Sequence, residues 1–472
     1  MVEPRLSRGL RDSRADLLLA RQYVIDTARR ICELYGFTPL ETPAIEYLDV
    51  LSGSAGQEAQ GQIFRVVNPE EEPLGLRFDL TVPLSRVVSQ YKDLVFPFRR
   101  YQVSPVWRAD KPAPGRFREF YQFDFDSVGV ESEIADTEIL AGICDTLDAL
   151  DVGRYRVRFS SRKILNLLLV YADIDKERGP DVFKVLDKLD KTGRDKIRKE
   201  LTIGYVDESG DPISGVGLSG TQVDQIDEFL EIDGDRNKVL AQLGTLFHEV
   251  EGSQEELEVV GRISSYLDQL GYKSDRVAID VSIARGLSYY TGPIFEAILL
   301  DAPQFGSVFG GGRYDDLVTR FTGQSIPSTG ASLGVDRLVA ALLSSNRLRG
   351  RCSTSQVFVT AMDQSLMSEY LAITYELRRA GIASEIHLGK PKKLGKQIQR
   401  ADRLEIPYVV IMGSDEAARG VVTLKEMDIG RERSGRVSGH AEWKKARFGQ
   451  QEIVRTELVG TLKRLLAENP SP

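Results

Sequence analysis

Residues 106–126 read VWRADKPAPGRFREFYQFDFD. Aromatic-rich flanks enclose a Pro- and Gly-rich middle, ADKPAPGRF, and this predicts an antiparallel hairpin over 96–130. Arg108, Arg116 and Arg118 flank the turn of an otherwise apolar element. A guanidinium fork fits phosphate oxygens, and Phe120 offers a ring that suits an adenine face, so the hairpin reads as a nucleotide site. Beyond the turn, Gln122, Asp124 and Asp126 alternate onto a single strand face. Two carboxylates among aromatics are costly to bury without a cationic or hydrogen-bonded partner, which favours a binding role for this face over a purely structural one.

Working outward toward the N-terminus, residues 14–35 carry helical apolar periodicity, with Gly36 as the cap. FTPLETPAIEYLDVL is too rich in Pro for a helix, and strand-like runs fall at 62–67 and 75–80. In LRFDLTVPLSR (76–86), Asp79 and Thr81 stand two apart. On a strand they share a face and could converge on one ligand amine; the plainer alternative is an exposed edge-strand face.

Toward the C-terminus, 132–150 reads as a helix, and 160–270 as a helical insertion. Strand signals return at 277–300, followed by glycines 310–312. ARGLSYYTGPIFE (284–296) and VFGGGRYDDL (308–317) bring Arg285, Tyr289, Tyr290, Tyr314 and three glycines, a pattern for backbone lying close to a ligand, although tyrosine pairs also serve in cores. GASLGVDRL (330–338) reads as a glycine-led helix start whose Arg337 suits a terminal phosphate. After a polar linker near 345–355, strand and helix signals alternate, which predicts a small α/β domain around a largely parallel sheet and a final helix near 452–467.

The chain has 472 residues, enough for two or three domains, and 42% of them are hydrophobic. No apolar run reaches the length of a membrane span and the charged N-terminus lacks a signal-peptide core, so a soluble, cytoplasmic protein with no membrane partner is expected. Three scattered cysteines and three scattered histidines give no disulfide framework, zinc spacing or Ser-His pair, and no resident metal is expected. Chemistry must rest on Arg, Asp, Glu and Tyr. The net charge of −8 argues against non-specific nucleic-acid binding, yet residues 354–472 hold 19 basic and 15 acidic side chains, so a polyanion could still contact that end.

Taken in order, these segments resemble the class II aminoacyl-tRNA synthetases. TPAIE (42–46) matches their dimer-forming first motif, the Arg108 hairpin the second, and GASLGVDRL the third. ARGLSYYTGPIFE and GGGRYDDL resemble the two signature peptides of the histidyl-tRNA synthetases, and GLRD (9–12) and RFDLTVP (77–83) fit the same family. REFYQFDFD and FDLTVP look closer to its eukaryotic-type form. The resemblance covers essentially the whole chain.

It implies an α+β catalytic core over 1–345, an antiparallel sheet with flanking helices, interrupted by the helical insertion at about 160–270. A C-terminal α/β anticodon-binding-like domain over 354–445 would follow, then a helix and tail over 446–472. The implied activity is histidine–tRNA ligation: L-histidine and ATP give histidyl-adenylate, and the histidyl group passes to the 3′ end of histidine tRNA. Histidine would be bound by Asp79, Leu80, Thr81, Gln122, Asp126, Tyr289, Tyr290 and Tyr314, with Asp126 toward the imidazole and Asp79 toward the amino group. Arg108 would bridge the ATP α-phosphate and the substrate carboxylate, Arg116 and Arg337 would hold the outer phosphates with Mg²⁺, and Phe120 would stack on adenine. Arg285 would touch histidine and stabilise charge at the α-phosphate. Lys392, Lys393, Lys396 and Arg400 are candidates for tRNA phosphates, and a homodimer is implied. One position departs from the family, Ser288 standing where Asp is usual. The competing implication is a catalytically inactive paralog with a regulatory or tRNA-sensing role.

Overall fold

The computed structural model describes residues 1–52, 61–111, 117–207, 210–284, 289–348, 350–389, 393–427 and 449–468. It divides into two compact units, Met1–Arg11 with Val24–Arg347, and Asp12–Tyr23 with Leu348–Pro472. The helix predicted at 14–35 spans Ala15–Leu34, and Gly36 follows it in the left-handed region at φ 77°.

The larger unit is organised on an eight-stranded sheet. Its strands are β1 (Thr38–Pro39), β2 (Phe98–Trp107), β3 (Glu119–Val128), β4 (Tyr155–Ser161), β5 (Val277–Ile279), β6 (Pro293–Leu299), β7 (Ser307–Arg313) and β8 (Ser328–Gly334). The spatial order is β1-β2-β3-β8-β7-β6-β4-β5. The outermost pairs are parallel and every inner pair is antiparallel. The predicted hairpin is β2 and β3, in register from Phe98 opposite Val128 to Trp107 opposite Glu119; part of its turn lies outside the described residues.

Alternation gives the sheet two faces. On one, Phe123, Phe125, Phe159, Phe309 and Leu333 are buried. The helix Glu133–Ala149 packs there, started by Ser132 accepting from the Ile134 amide, and its Gly142 admits the Phe125 ring. The other face carries Gln122, Asp124 and Asp126.

Two local expectations need correction. Strand ends at Leu76, and Asp79 and Thr81 lie at the start of a helix, Thr81–Gln90. The reason is capping: Asp79 Oδ1 accepts from the Val82 amide at 3.0 Å, satisfying a helix N-terminal donor that a strand would not expose. Glycines 310–312 belong to β7, and GASLG belongs to β8, so the helix carrying Arg337 begins only at Val335 and runs to Ser344.

The insertion holds the predicted helices, among them Arg162–Tyr171, Gly220–Leu230 and Ser253–Gln269, plus a short hairpin of Gly204–Val206 with Pro212–Ser214. The smaller unit is a five-stranded sheet, β9 (Val357–Val359), β10 (Ser384–Ile386), β11 (Tyr408–Ile411), β12 (Val421–Glu426) and β13 (Gln450–Val454), in the order β10-β9-β11-β12-β13. Only the β9 pairings are parallel, so the sheet is mixed where a largely parallel one was expected. β13 takes the place of the predicted helix start, and the final helix is Leu458–Glu468. Among the described residues, no helix is long and apolar enough to cross a membrane.

Candidate active site

Strand register builds the floor of a cleft of about 630 Å³. Two rows cross the sheet on the polar face. Gln102, Asp124, Ser332, Gly310 and Glu296 form one; Arg100, Asp126, Gly330, Gly312 and Ile294 form the other. In the middle of each row stand Gly or Ser. Large side chains there would fill the face, so the small ones leave the concavity.

The glycines are steric requirements. At Gly330 an added Cβ would lie 2.0 Å from Asp126 Oδ1, and at Gly312, where φ is 159°, it would lie 2.6 Å from the Pro293 carbonyl oxygen.

Asp126 is buried and held from three sides. Arg100, which has no solvent exposure, places Nη2 2.8 Å from its Oδ2, and Tyr314 donates to Oδ1. The third neighbour is Gly330. Arg100 also donates to the Leu80 carbonyl at 3.2 Å, which joins the Asp79 turn to the same cation. Leu80 itself is fully buried, and its backbone carbonyl is the group that Arg100 holds.

Asp79, Asp124 and Asp126 thus share one buried arginine. Burial raises all three carboxyl groups above their usual range. Asp124 is pushed up to about 7, by burial first, with Arg100 opposing and Asp126 reinforcing the rise.

The remaining valences point to the ligand. Asp79 Oδ2, Gln122 Oε1 and Asp124 Oδ1 are buried acceptors with no hydrogen-bond partner among the described residues. The Gln122 amide is fixed by its Nε2 donating to Ser332 Oγ at 2.5 Å, which leaves the carbonyl end to the cleft. A buried acceptor without a donor is destabilising, so this floor suits a ligand rich in N–H groups and positive charge.

Tyr289, Tyr290 and Tyr314 form the aromatic wall, with edge-to-face ring pairs at 5.0 Å for 289 and 290 and 6.0 Å for 289 and 314. Tyr289 is in hydrogen-bonding reach of Thr81, and burial holds the Tyr289 and Tyr314 phenols well above their ordinary range, so both remain donors.

Arginines occupy the other part of the cleft. Arg108 donates from Nε to the Phe78 carbonyl at 2.9 Å, and its guanidinium carbon lies 5.2 Å from the Phe120 ring centre. Arg337 stands in the first turn of its helix, anchored by Nη1 donating to the Ser307 carbonyl at 2.6 Å. Both line the same cleft as Phe120 and the acidic floor. Arg116, Arg285, Ser288 and Lys392 lie outside the described residues.

In the smaller unit, Lys396 and Arg400 occupy the helix Leu394–Arg403, with Lys393 at its cap, and line a separate cavity of about 460 Å³ with Arg378, Glu385 and His387. Arg400 lies 3.5 Å from Glu385 and is largely exposed.

Reading the sequence missed Arg100 as the charge partner and left Asp124 without a role. The signal was present: counting back from a symmetric hairpin turn puts Arg100 opposite Asp126 and Gln102 opposite Asp124.

The family model described as histidyl-tRNA synthetase matches residues 9–338, and the model of the anticodon binding domain matches 356–446. Proteins named histidine–tRNA ligase from Cereibacter sphaeroides and Paracoccus denitrificans are each 42% identical to this chain. The first match covers 98% of this chain and the second 97%, and each covers 97% of the relative. A crystal structure of histidyl-tRNA synthetase from Nostoc sp. PCC 7120 superposes with a TM-score of 0.81 at 32% identity, over 99% of this chain and 100% of that one. These relatives are bacterial, so the expected leaning toward the eukaryotic-type form finds no support.

Proposed function

The chain belongs to the histidyl-tRNA synthetase family and acts as a histidine–tRNA ligase, and we propose that the sheet-face cleft is where it activates the amino acid. A histidine carboxylate oxygen attacks the α-phosphorus of ATP, the bond to the bridging oxygen breaks, and pyrophosphate leaves. A hydroxyl at the tRNA 3′ end then attacks the carbonyl carbon of histidyl-adenylate and AMP departs. The observation that carries this assignment is the set of orphaned acceptors on the floor. The α-ammonium satisfies Asp79, the imidazole N–H meets Asp126, and Gln122 and Asp124 take the remaining donors. The tyrosine wall supplies neutral donors and a flat apolar surface for the ring.

Neither step requires a covalent nucleophile. What adenylation needs is alignment and positive charge on a pentavalent phosphorus. Arg108 bridges the histidine carboxylate and the α-phosphate, Arg285 stabilises the developing charge, Arg116 and Arg337 hold the outer phosphates, and Phe120 stacks on adenine. ATP enters as its magnesium complex. In this reading the Mg²⁺ is carried mainly by the phosphates and their waters.

Residues 1–345 are assigned to catalysis and 354–445 to the tRNA, with Lys392, Lys393, Lys396 and Arg400 contacting its phosphates. A homodimer forms through 42–46, where Ile45 is 43% exposed and Tyr47, just beyond the segment, is 47% exposed.

ATP–pyrophosphate exchange measured across the amino acids tests the assignment. Histidine alone is expected to drive exchange; a folded chain that exchanges with none of them is the inactive paralog.

A further inference from the structure

The GLRD segment at the start of the chain has no part in the chemistry above, yet it is fastened to the nucleotide end of the cleft. Arg11 places Nη2 2.9 Å from Asp336 Oδ1, and its guanidinium carbon sits 3.5 Å from the Phe117 ring centre. Gly9, at φ 81°, turns the backbone so that its carbonyl accepts from the Arg118 amide at 3.0 Å. Asp336 is 3% exposed, and its second oxygen accepts from the Tyr121 amide at 2.7 Å. One buried carboxylate therefore joins β3 to the first turn of the helix Val335–Ser344.

The residues it joins are the neighbours of the two ATP groups. Tyr121 follows Phe120, and Asp336 precedes Arg337. We propose that Arg11 is a positioning residue for ATP: it neutralises Asp336 and, stacked on Phe117, holds the hairpin arm and the Arg337 helix in one frame. A guanidinium suits this because it is planar enough to cover a ring while one edge donates to a carboxylate. Removing it takes a cation from beside a buried anion and cuts the tie between the N-terminal segment and the helix, which loosens the Asp336 link to the Tyr121 amide. Phe120 and Arg337 then lose their fixed spacing, and a displacement on the scale of 1 Å is enough to weaken a ligand that must meet both.

The inference rests on the ATP roles proposed for Phe120 and Arg337, and it predicts a separation between substrates. The variants are Arg11→Ala and Arg11→Lys, the second retaining charge without the planar stack. Calorimetric binding of a non-hydrolysable ATP analogue without histidine should weaken roughly 10-fold in Arg11→Ala and by less in Arg11→Lys. In pyrophosphate exchange the KM for ATP should rise by a similar factor while the KM for histidine stays within about twofold. Adding Asp336→Asn to Arg11→Ala should recover part of the loss, because the amide oxygen still accepts from Tyr121 and the buried negative charge is gone. Unchanged ATP-analogue affinity in Arg11→Ala overturns the proposal, as does an equal rise of both KM values or an absence of recovery in the double variant. Should Arg11→Ala fail to fold, Arg11→Lys with ATP affinity equal to wild type overturns it as well. A wild type that binds the analogue but exchanges no pyrophosphate with histidine refutes the ligase assignment, and analogue binding still tests the role of Arg11.

Discussion

A single methyl group added at Gly330 should remove histidine recognition while leaving the nucleotide end intact. The added carbon would lie 2.0 Å from Asp126 Oδ1, 2.5 Å from its Cγ and 2.8 Å from the Phe125 carbonyl oxygen. Non-bonded heavy atoms rest at roughly 3.5 Å, so the carboxylate must retreat by more than an ångström. It has nowhere to go without leaving Arg100 at 2.8 Å and the Tyr314 hydroxyl. Breaking a buried ion pair costs about 3–5 kcal/mol, some of which strand adjustment recovers. If about 2.7 kcal/mol falls on histidine binding, its KM rises about 100-fold. Pyrophosphate exchange at varied histidine and varied ATP, with thermal melts to establish folding, measures this. The ATP KM should change by less than about threefold, since the atoms nearest the added carbon belong to Asp126 and Phe125 and not to the ATP groups. Asp126→Ala should raise the histidine KM at least as much, and Gly330→Ala added to it should do little more. A folded Gly330→Ala protein with an unchanged histidine KM would refute the placement of the imidazole against Asp126.

Asp124 should couple stability of the ligand-free protein to pH. Its carboxyl is raised from 3.8 to about 7, so the folded state holds the proton more tightly than the unfolded chain. That stabilisation is complete below about pH 4 and is lost as pH rises through 7, an effect on the order of 4 kcal/mol at most. Asp124→Asn should therefore gain melting temperature relative to wild type between pH 5 and pH 8; parallel curves would show that Asp124 does not titrate there. Replacing Lys396 and Arg400 by Ala should raise the KM for tRNA in aminoacylation severalfold and leave pyrophosphate exchange untouched, whereas equal loss of both activities would move these residues out of tRNA contact. Ser288→Asp should alter kcat for exchange by less than roughly 10-fold, about 1.4 kcal/mol, because the ligands assigned to ATP and histidine all remain; an inactive wild type revived by that change would identify a relic.

Local pattern carried the sequence reading wherever one element decided the outcome. The 106–126 hairpin follows from turn residues between aromatic flanks, and the face shared by Gln122, Asp124 and Asp126 follows from a period of two. The helix at 15–34 and the alternation of the C-terminal unit were legible for the same reason. Where one residue had two local uses, the pattern misled. The local pattern places Asp79 on a strand, but the helix beginning at Thr81 needs an acceptor for its amides. GASLG carries a helix-start pattern, yet it is a strand whose small residues on the polar face leave room for the cleft.

The charge balance of the pocket lay beyond any local pattern. Arg100 stands 26 positions from Asp126 and 20 from the Leu80 carbonyl, and only strand pairing brings it to both. Asp336 likewise meets Arg11 and the Tyr121 amide only when the third motif lies beside the second. Chain chemistry determined which groups were available and which strand face they shared. Long-range register decided which carboxylates were buried together, which cation they shared, and which oxygens were left for a ligand, because desolvation and ion pairing depend on distances that no short window of sequence contains.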